Sequence, residues 1–252
     1  LLVAPFHLAY SQEGRPYALA GLLCLLCTYA FLRLLERPTL ARRGLYILVT
    51  VALLYAHHWG LFVAASHGFY GLLAARAARK PFAPLLLLWA AVGLLYVPEL
   101  LVLRHQSVVG PPVQWFWAEP PSFAELFRLG TAFSGSAFTM ASSVFALPAV
   151  LQVLGVVAVA AIVTPGAWHL RRHGDARGAL LAIFLGILAI PFLLSFFKPE
   201  IFLWYRYTVI PFPLLTLVAG GMAQDRRWGL APVALLIAIG VCGAIGYSSW
   251  QK

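Results

Sequence analysis

From Tyr17 to Leu35 the chain carries a single charged residue, Arg33, and runs of the same kind recur at 84–103, 144–168, 179–197, 207–223 and 229–247. About 20 apolar residues in a helix cross a hydrocarbon core of roughly 30 Å. In lipid, backbone polar groups must be paired within the protein, and a helix pairs them within the segment itself. The repeated runs therefore restrict the chain to helices packed side by side in a bilayer. Composition agrees: 62% of the residues are hydrophobic and 10% charged, against about 45–50% apolar and about 25% charged in soluble domains. The expected fold is all-α, a polytopic transmembrane helical bundle of about eight membrane helices. No connection is long enough for a separate soluble unit, so residues 1–252 form one integral membrane domain.

The stretch 45–75 is apolar too, but as one helix it would be about 46 Å long, too long for a single crossing. Its centre reads Tyr55-Ala56-His57-His58-Trp59-Gly60, which predicts a hairpin of two short helices turning at His57-His58. The positive-inside rule favours the same choice. With the hairpin, Arg33, Arg37, Arg42 and Arg43 share the cytoplasmic side with Arg76, Arg79 and Lys80, and with the later Arg171, Arg172, Arg177, Arg226 and Arg227. That places 12 of the 18 Lys and Arg inside. Glu13, Arg15, His57, the loop 106–143, Glu200 and Arg206 then fall outside.

The net charge of +10 is thus accounted for by orientation, and nucleic acid is not an expected partner. Cys24, Cys27 and Cys242 lie inside apolar runs, which suits neither disulfides nor zinc; Cys24-Leu-Leu-Cys27 is expected to serve helix packing. The opening "LLVAPFHLAY" reads as the last turns of a span that began earlier, so a piece of a longer protein is expected.

Ionisable residues on the external side are the candidates for chemistry. Arg206 stands at the mouth of a span interrupted by Pro211 and Pro213; its planar guanidinium suits a phosphate, and the alternative is snorkelling to head groups. His57 offers a hydrogen bond at a tight turn, and adjacent histidines lack the i, i+4 spacing of a helical metal pair. Glu13 and Arg15 either pair with each other or, with His57 and Arg206 on the same face, suit an anionic lipid head group, the carboxylate orienting a cation or a sugar hydroxyl. In the loop 106–143, Ser122 and Glu125 make a capping box opening an amphipathic helix whose apolar face is Phe123, Leu126, Phe127, Leu129 and Phe133, expected to lie on the membrane surface. Trp115, Phe116 and Trp117 form an interfacial aromatic anchor, or else an acceptor-binding wall. His67 carries no assignment.

Taken in order, "YSQEGRPYAL", "LYAHHWGLF", "WAEPPSFAELFRLGTAFSG" and "KPEIFLWYRYTVIPFPLLTLVAGG" resemble bacterial family 39-like glycosyltransferases of the GT-C fold. These are relatives of dolichyl-phosphate-mannose protein mannosyltransferases, of the lipid A aminoarabinose transferase and of lipopolysaccharide galacturonosyltransferases. The likeness runs over nearly the whole chain. It implies an enzyme of the bacterial inner membrane, with its active site on the periplasmic side. The enzyme takes a sugar from a polyprenyl-phosphate donor, inverts the anomeric carbon and passes the sugar to a hydroxyl of a glycan, lipid or protein acceptor. The family's Ser-Gln-Glu-x-Arg-x-Tyr pattern falls on Ser11, Gln12, Glu13, Arg15 and Tyr17. Its Tyr-x-His falls on Tyr55 and His57, and its Arg-Tyr on Arg206 and Tyr207. Gly14 stands where alanine is usual and His58 where an aromatic is usual. The resemblance implies donor phosphate and sugar binding by Arg15, His57, Arg206 and Tyr207, with Glu13 assisting catalysis. It also implies that the main acidic base lies upstream of Leu1, so that 1–252 alone is expected to be inactive. No cofactor is implied, no metal ligand set stands in the sequence, and metal dependence stays open.

Two other classes share the polytopic plan. A lipid or solute transporter or flippase would carry ionisable groups near the bilayer midplane and often internal repeats. A purely structural subunit would give no reason for Glu13, His57 and Arg206 on one side.

Overall fold

A computed structural model describes residues 16–109, 122–138, 143–170, 176–197, 207–223 and 230–250. The helices are α1 (Tyr17–Glu36), α2 (Leu40–Ala56), α3 (Gly60–Ala77), α4 (Ala83–Val109), α5 (Phe123–Ser134), α6 (Ala149–Leu170), α7 (Ala176–Leu194), α8 (Phe212–Ala223) and α9 (Leu230–Trp250). A 3-10 turn at Tyr207–Val209 precedes α8. The architecture is helical with one small addition, an antiparallel pair of strands, β1 (Ala137–Phe138) and β2 (Ser143–Phe145).

Among the described residues three helices are long and apolar enough to cross a membrane: α1, Ala83–His105 of α4, and α7. The stretch 45–75 divides as its length requires. α2 closes with the His57 N–H on the Leu53 carbonyl, and α3 restarts with Gly60 and Leu61 N–H groups on the carbonyls of His57 and His58. The resulting helices have 17 and 18 residues, about 26 Å each.

Prolines move two boundaries. The run expected from 144 becomes β2 followed by α6, because Pro148 lacks an N–H and suits only the start of a helix; the Gln152 N–H on the Pro148 carbonyl is the first bond of α6. Pro211 and Pro213 likewise separate the 3-10 turn from α8, which keeps 12 residues. The Ile210 carbonyl there lies against Gly21 of α1, where a Cβ would meet it at 3.7 Å.

α1, α3, α7 and α8 enclose the main core, with Cys24, Cys27, Phe31, Val63, Ile187 and Leu214 buried. α2 lies along α1, and α4 lies on the outside of α2. α4 shows the most apolar surface, Leu87 being 71% and Leu94 73% exposed, as a lipid-facing helix would.

The amphipathic helix departs from expectation. α5 does start at the Ser122 and Glu125 capping box, the Ser122 N–H donating to the Glu125 carboxylate at 3.2 Å. Its apolar face is divided, however. Leu126 and Phe127 are exposed, whereas Leu129 and Phe133 are buried in the bundle, with Phe133 stacked on Phe212 at 5.0 Å. Small residues permit the insertion: Gly130 rests on Val156, and Gly155 of α6 takes the Ser134 side chain where any Cβ would collide with it. Gly135, at φ +151°, ends α5 in a conformation other residues rarely adopt.

Candidate functional site

Chain direction sets where the candidate residues meet. α1 begins where α2 ends, and the 3-10 turn before α8 packs beside the start of α1. Tyr17, the 57–59 turn and Tyr207 therefore converge at one end of the bundle. The His57 ring lies 5.5 Å from that of Tyr17 and 5.3 Å, edge-on, from that of Tyr207; Trp59 stands 6.1 Å from Tyr207. Tyr17 and Trp59 are buried, and His57 and Tyr207 are half-buried.

The turn itself defines the histidine's chemistry. The Trp59 backbone N–H donates to His57 Nδ1 at 3.1 Å. With Nδ1 accepting, the neutral ring carries its proton on Nε2, which makes no hydrogen bond among the described residues. Burial, and then the neighbouring His58, push the His57 pKa down to about 4. At neutral pH His57 is thus an N–H donor with no charge.

His58 faces the other way. Its Nδ1 shares a hydrogen bond of 2.9 Å with the Tyr96 hydroxyl. Tyr55 donates to the Leu95 carbonyl at 3.1 Å and packs edge-on against Tyr96 at 5.7 Å. Pro98 interrupts the ladder of α4 in this turn, which frees carbonyls for outside donors. Both contacts tie α4 to the 55–59 turn and hold it in place.

Of the sequence candidates, His57 and Tyr207 are brought together. Glu13, Arg15, Trp115, Trp117 and Arg206 lie outside the described residues. In the chain Arg15 precedes Tyr17 by two positions, and Arg206 directly precedes Tyr207. Among the described residues no group of three or more His, Cys, Asp or Glu is placed to hold a metal.

Sequence reasoning missed the buried polar cluster around His67. This residue is fully buried near the middle of α3 and stacks on Phe31 at 4.6 Å with rings 11° from parallel. Its Nε2 lies 3.1 Å from the Thr28 hydroxyl, while Nδ1 lies 3.4 Å from the Tyr46 hydroxyl and 3.8 Å from Cys27 Sγ. Trp89 Nε1 donates to the same Tyr46 oxygen at 3.3 Å. Thr50 bonds both the Tyr46 carbonyl, at 2.6 Å, and Cys27, at 3.1 Å. The available signal is a set of polar side chains within the apolar stretches 17–35 and 45–75, Cys27-Thr28 in the first and Tyr46, Thr50 and His67 in the second, which antiparallel neighbours bring to one level.

Comparison with family models, with curated proteins and with solved structures finds no match for this chain.

Proposed function

We propose that this chain carries the donor site of a membrane glycosyltransferase, which moves a sugar from a polyprenyl phosphate to an acceptor hydroxyl on the external face with inversion. One observation carries the reading: Tyr17, His57 and Tyr207, drawn from three separate stretches of sequence, share one end of the bundle. Each stretch also supplies a residue of the chemistry required. In this reading Arg15, two positions before Tyr17, and Arg206, directly before Tyr207, provide fixed positive charge for the donor's phosphate, and His57 Nε2–H adds an uncharged donor. Such groups stabilise the charge that develops on the leaving oxygen. Tyr207 and the other rings wall the sugar, and Trp115 and Trp117 serve as membrane anchor or acceptor wall.

The acceptor oxygen attacks the anomeric carbon from the side opposite the phosphate. A new C–O bond forms, the bond from the anomeric carbon to the phosphate oxygen breaks, and the lipid phosphate leaves with the electron pair. The acceptor's proton passes to a carboxylate base, with Glu13 assisting. α2, α3, α6, α8 and α9 would join the three long helices in a bundle of about eight spans, in the inner membrane of a bacterium. The test uses full-length protein and its Arg206→Ala variant with a panel of radiolabelled polyprenyl-phosphate sugars. Wild type should bind one donor and the folded variant should lose it. Equal binding by both, or none by either, would refute the reading.

A specific observation also favours a transporter. His67 is an ionisable group in the middle of a helix, with polar partners from two others, and such residues mark proton or ion paths. In liposomes a transporter would show a substrate-dependent proton flux that His67→Phe abolishes, whereas the transferase would show none.

A further inference from the structure

Thr39 caps α2, and the two residues of its first turn that follow Ala41 are both arginines. Cations are disfavoured there, because the N-terminal end of a helix already carries positive partial charge. Consecutive helical residues point about 100° apart, and the two arginines meet different surroundings. Arg42 donates to the Arg33 and Arg37 carbonyls at the end of α1 and lies 3.8 Å from the Glu36 carboxylate. That is the end of a helix where a cation is favoured.

Arg43 has no such outlet. Its side chain makes no hydrogen bond or ion pair among the described residues, and its Nε is buried without an acceptor. A buried donor left in that state is costly. The same side chain lines a pocket of about 280 Å³ whose other walls are Ile47, Ala83, Pro84, Leu87 and Leu88. No acidic residue lines it among the described residues. α4 starts at this pocket, so the positive end of a second helix adds to the guanidinium.

We propose that this pocket binds the phosphodiester of an anionic membrane lipid, with Arg43 as its donor. A planar guanidinium matches phosphate oxygens in pairs, and Arg43 is the charged residue among the pocket's described walls. The apolar walls select a lipid over free phosphate. The volume falls just below the roughly 300 Å³ at which pockets for whole small molecules begin. It suits a phosphate with its glycerol, the chains running down the exposed α4 surface past Leu87. Arg76 in the last turn of α3, with Arg79 and Lys80 in the α3–α4 connection, strengthens attraction to an anionic leaflet. The inference rests on membrane placement and is independent of the transferase chemistry.

The test is native mass spectrometry of the full chain, after reconstitution in phosphatidylcholine nanodiscs with rising fractions of phosphatidylglycerol. Wild type should retain a tightly held phosphatidylglycerol. Arg43→Gln should weaken it about five- to tenfold, and Arg42→Gln should leave it within about twofold. Leu87→Trp, which fills the pocket and keeps Arg43, should also weaken it. Should Arg43→Gln lose its fold by far-UV circular dichroism, Leu87→Trp carries the decision. The proposal is overturned if both pocket variants hold phosphatidylglycerol as wild type does. It is overturned as well if phosphatidylcholine is retained equally, or if millimolar inorganic phosphate displaces the lipid.

Discussion

His57 joins local backbone geometry to the proposed chemistry. Its Nδ1 accepts a turn N–H, and its pKa of about 4 lies below the ordinary value of 6.5. The unfolded chain therefore binds a proton in the window between those values that the folded chain refuses, and the folded state loses stability as pH falls through it. His57→Asn retains an acceptor near the Nδ1 position and cannot titrate. Its melting temperature in detergent should fall less than that of wild type between pH 6.5 and pH 4; parallel curves would show that His57 is not responsible. At His67, replacement by Ala removes a stacked ring and strands the Thr28 and Tyr46 hydroxyls. A loss of about 2–4 kcal/mol is expected, measurable by denaturant unfolding in mixed micelles. The two histidines differ in legibility. His57 stands in a doublet that interrupts an apolar run, which sequence registers. His67 is a single histidine within such a run, and only the juxtaposition of α1, α2 and α3 supplies its partners.

At the scale of elements, periodic apolarity and proline positions explain most boundaries. The division of α2 from α3 is legible in the sequence because bilayer thickness forbids a single helix over 45–75. The insertion of α5 is not, because an amphipathic face looks the same whether it meets lipid or protein. Its fate is decided by Gly130, Gly155 and Ser134, whose small size matters only once α6 is known to be opposite. The packing of α3 on α7 rests on a similar fit, the Ser66 side chain lying where a Cβ on Gly186 would stand at 2.8 Å from its hydroxyl oxygen. Gly186→Leu should force these helices apart at a cost of about 1–3 kcal/mol, seen as a lower unfolding midpoint. An unchanged midpoint would mean that the contact is dispensable.

For the whole molecule, helix direction sorts the charges. The pocket that joins Arg43 of α2 to Ala83 and Pro84 of α4 sets the α1–α2 and α3–α4 connections at one end, and the Arg177 guanidinium reaches the Gly221 carbonyl there from α7 to α8 at 3.4 Å. Tyr17, His57 and Tyr207 lie at the other end. Single cysteines at 38 and 81 should thus react with an impermeant maleimide from one side of a sealed vesicle, and a cysteine at 58 from the opposite side. The same sidedness for all three would break the hairpin topology on which an external site depends. In the proposed donor site the Tyr17, His57 and Tyr207 end holds a lipid phosphate. This binding is tested most directly by photocrosslinking the full-length protein with a polyprenyl-phosphate sugar bearing a diazirine beside its phosphate, then mapping the adducts by mass spectrometry. Labels are expected on the peptides around Tyr17, on the 57–59 turn and around Tyr207, competed by unlabelled donor. Labels confined to other parts of the bundle, or labels that unlabelled donor does not compete, would contradict it.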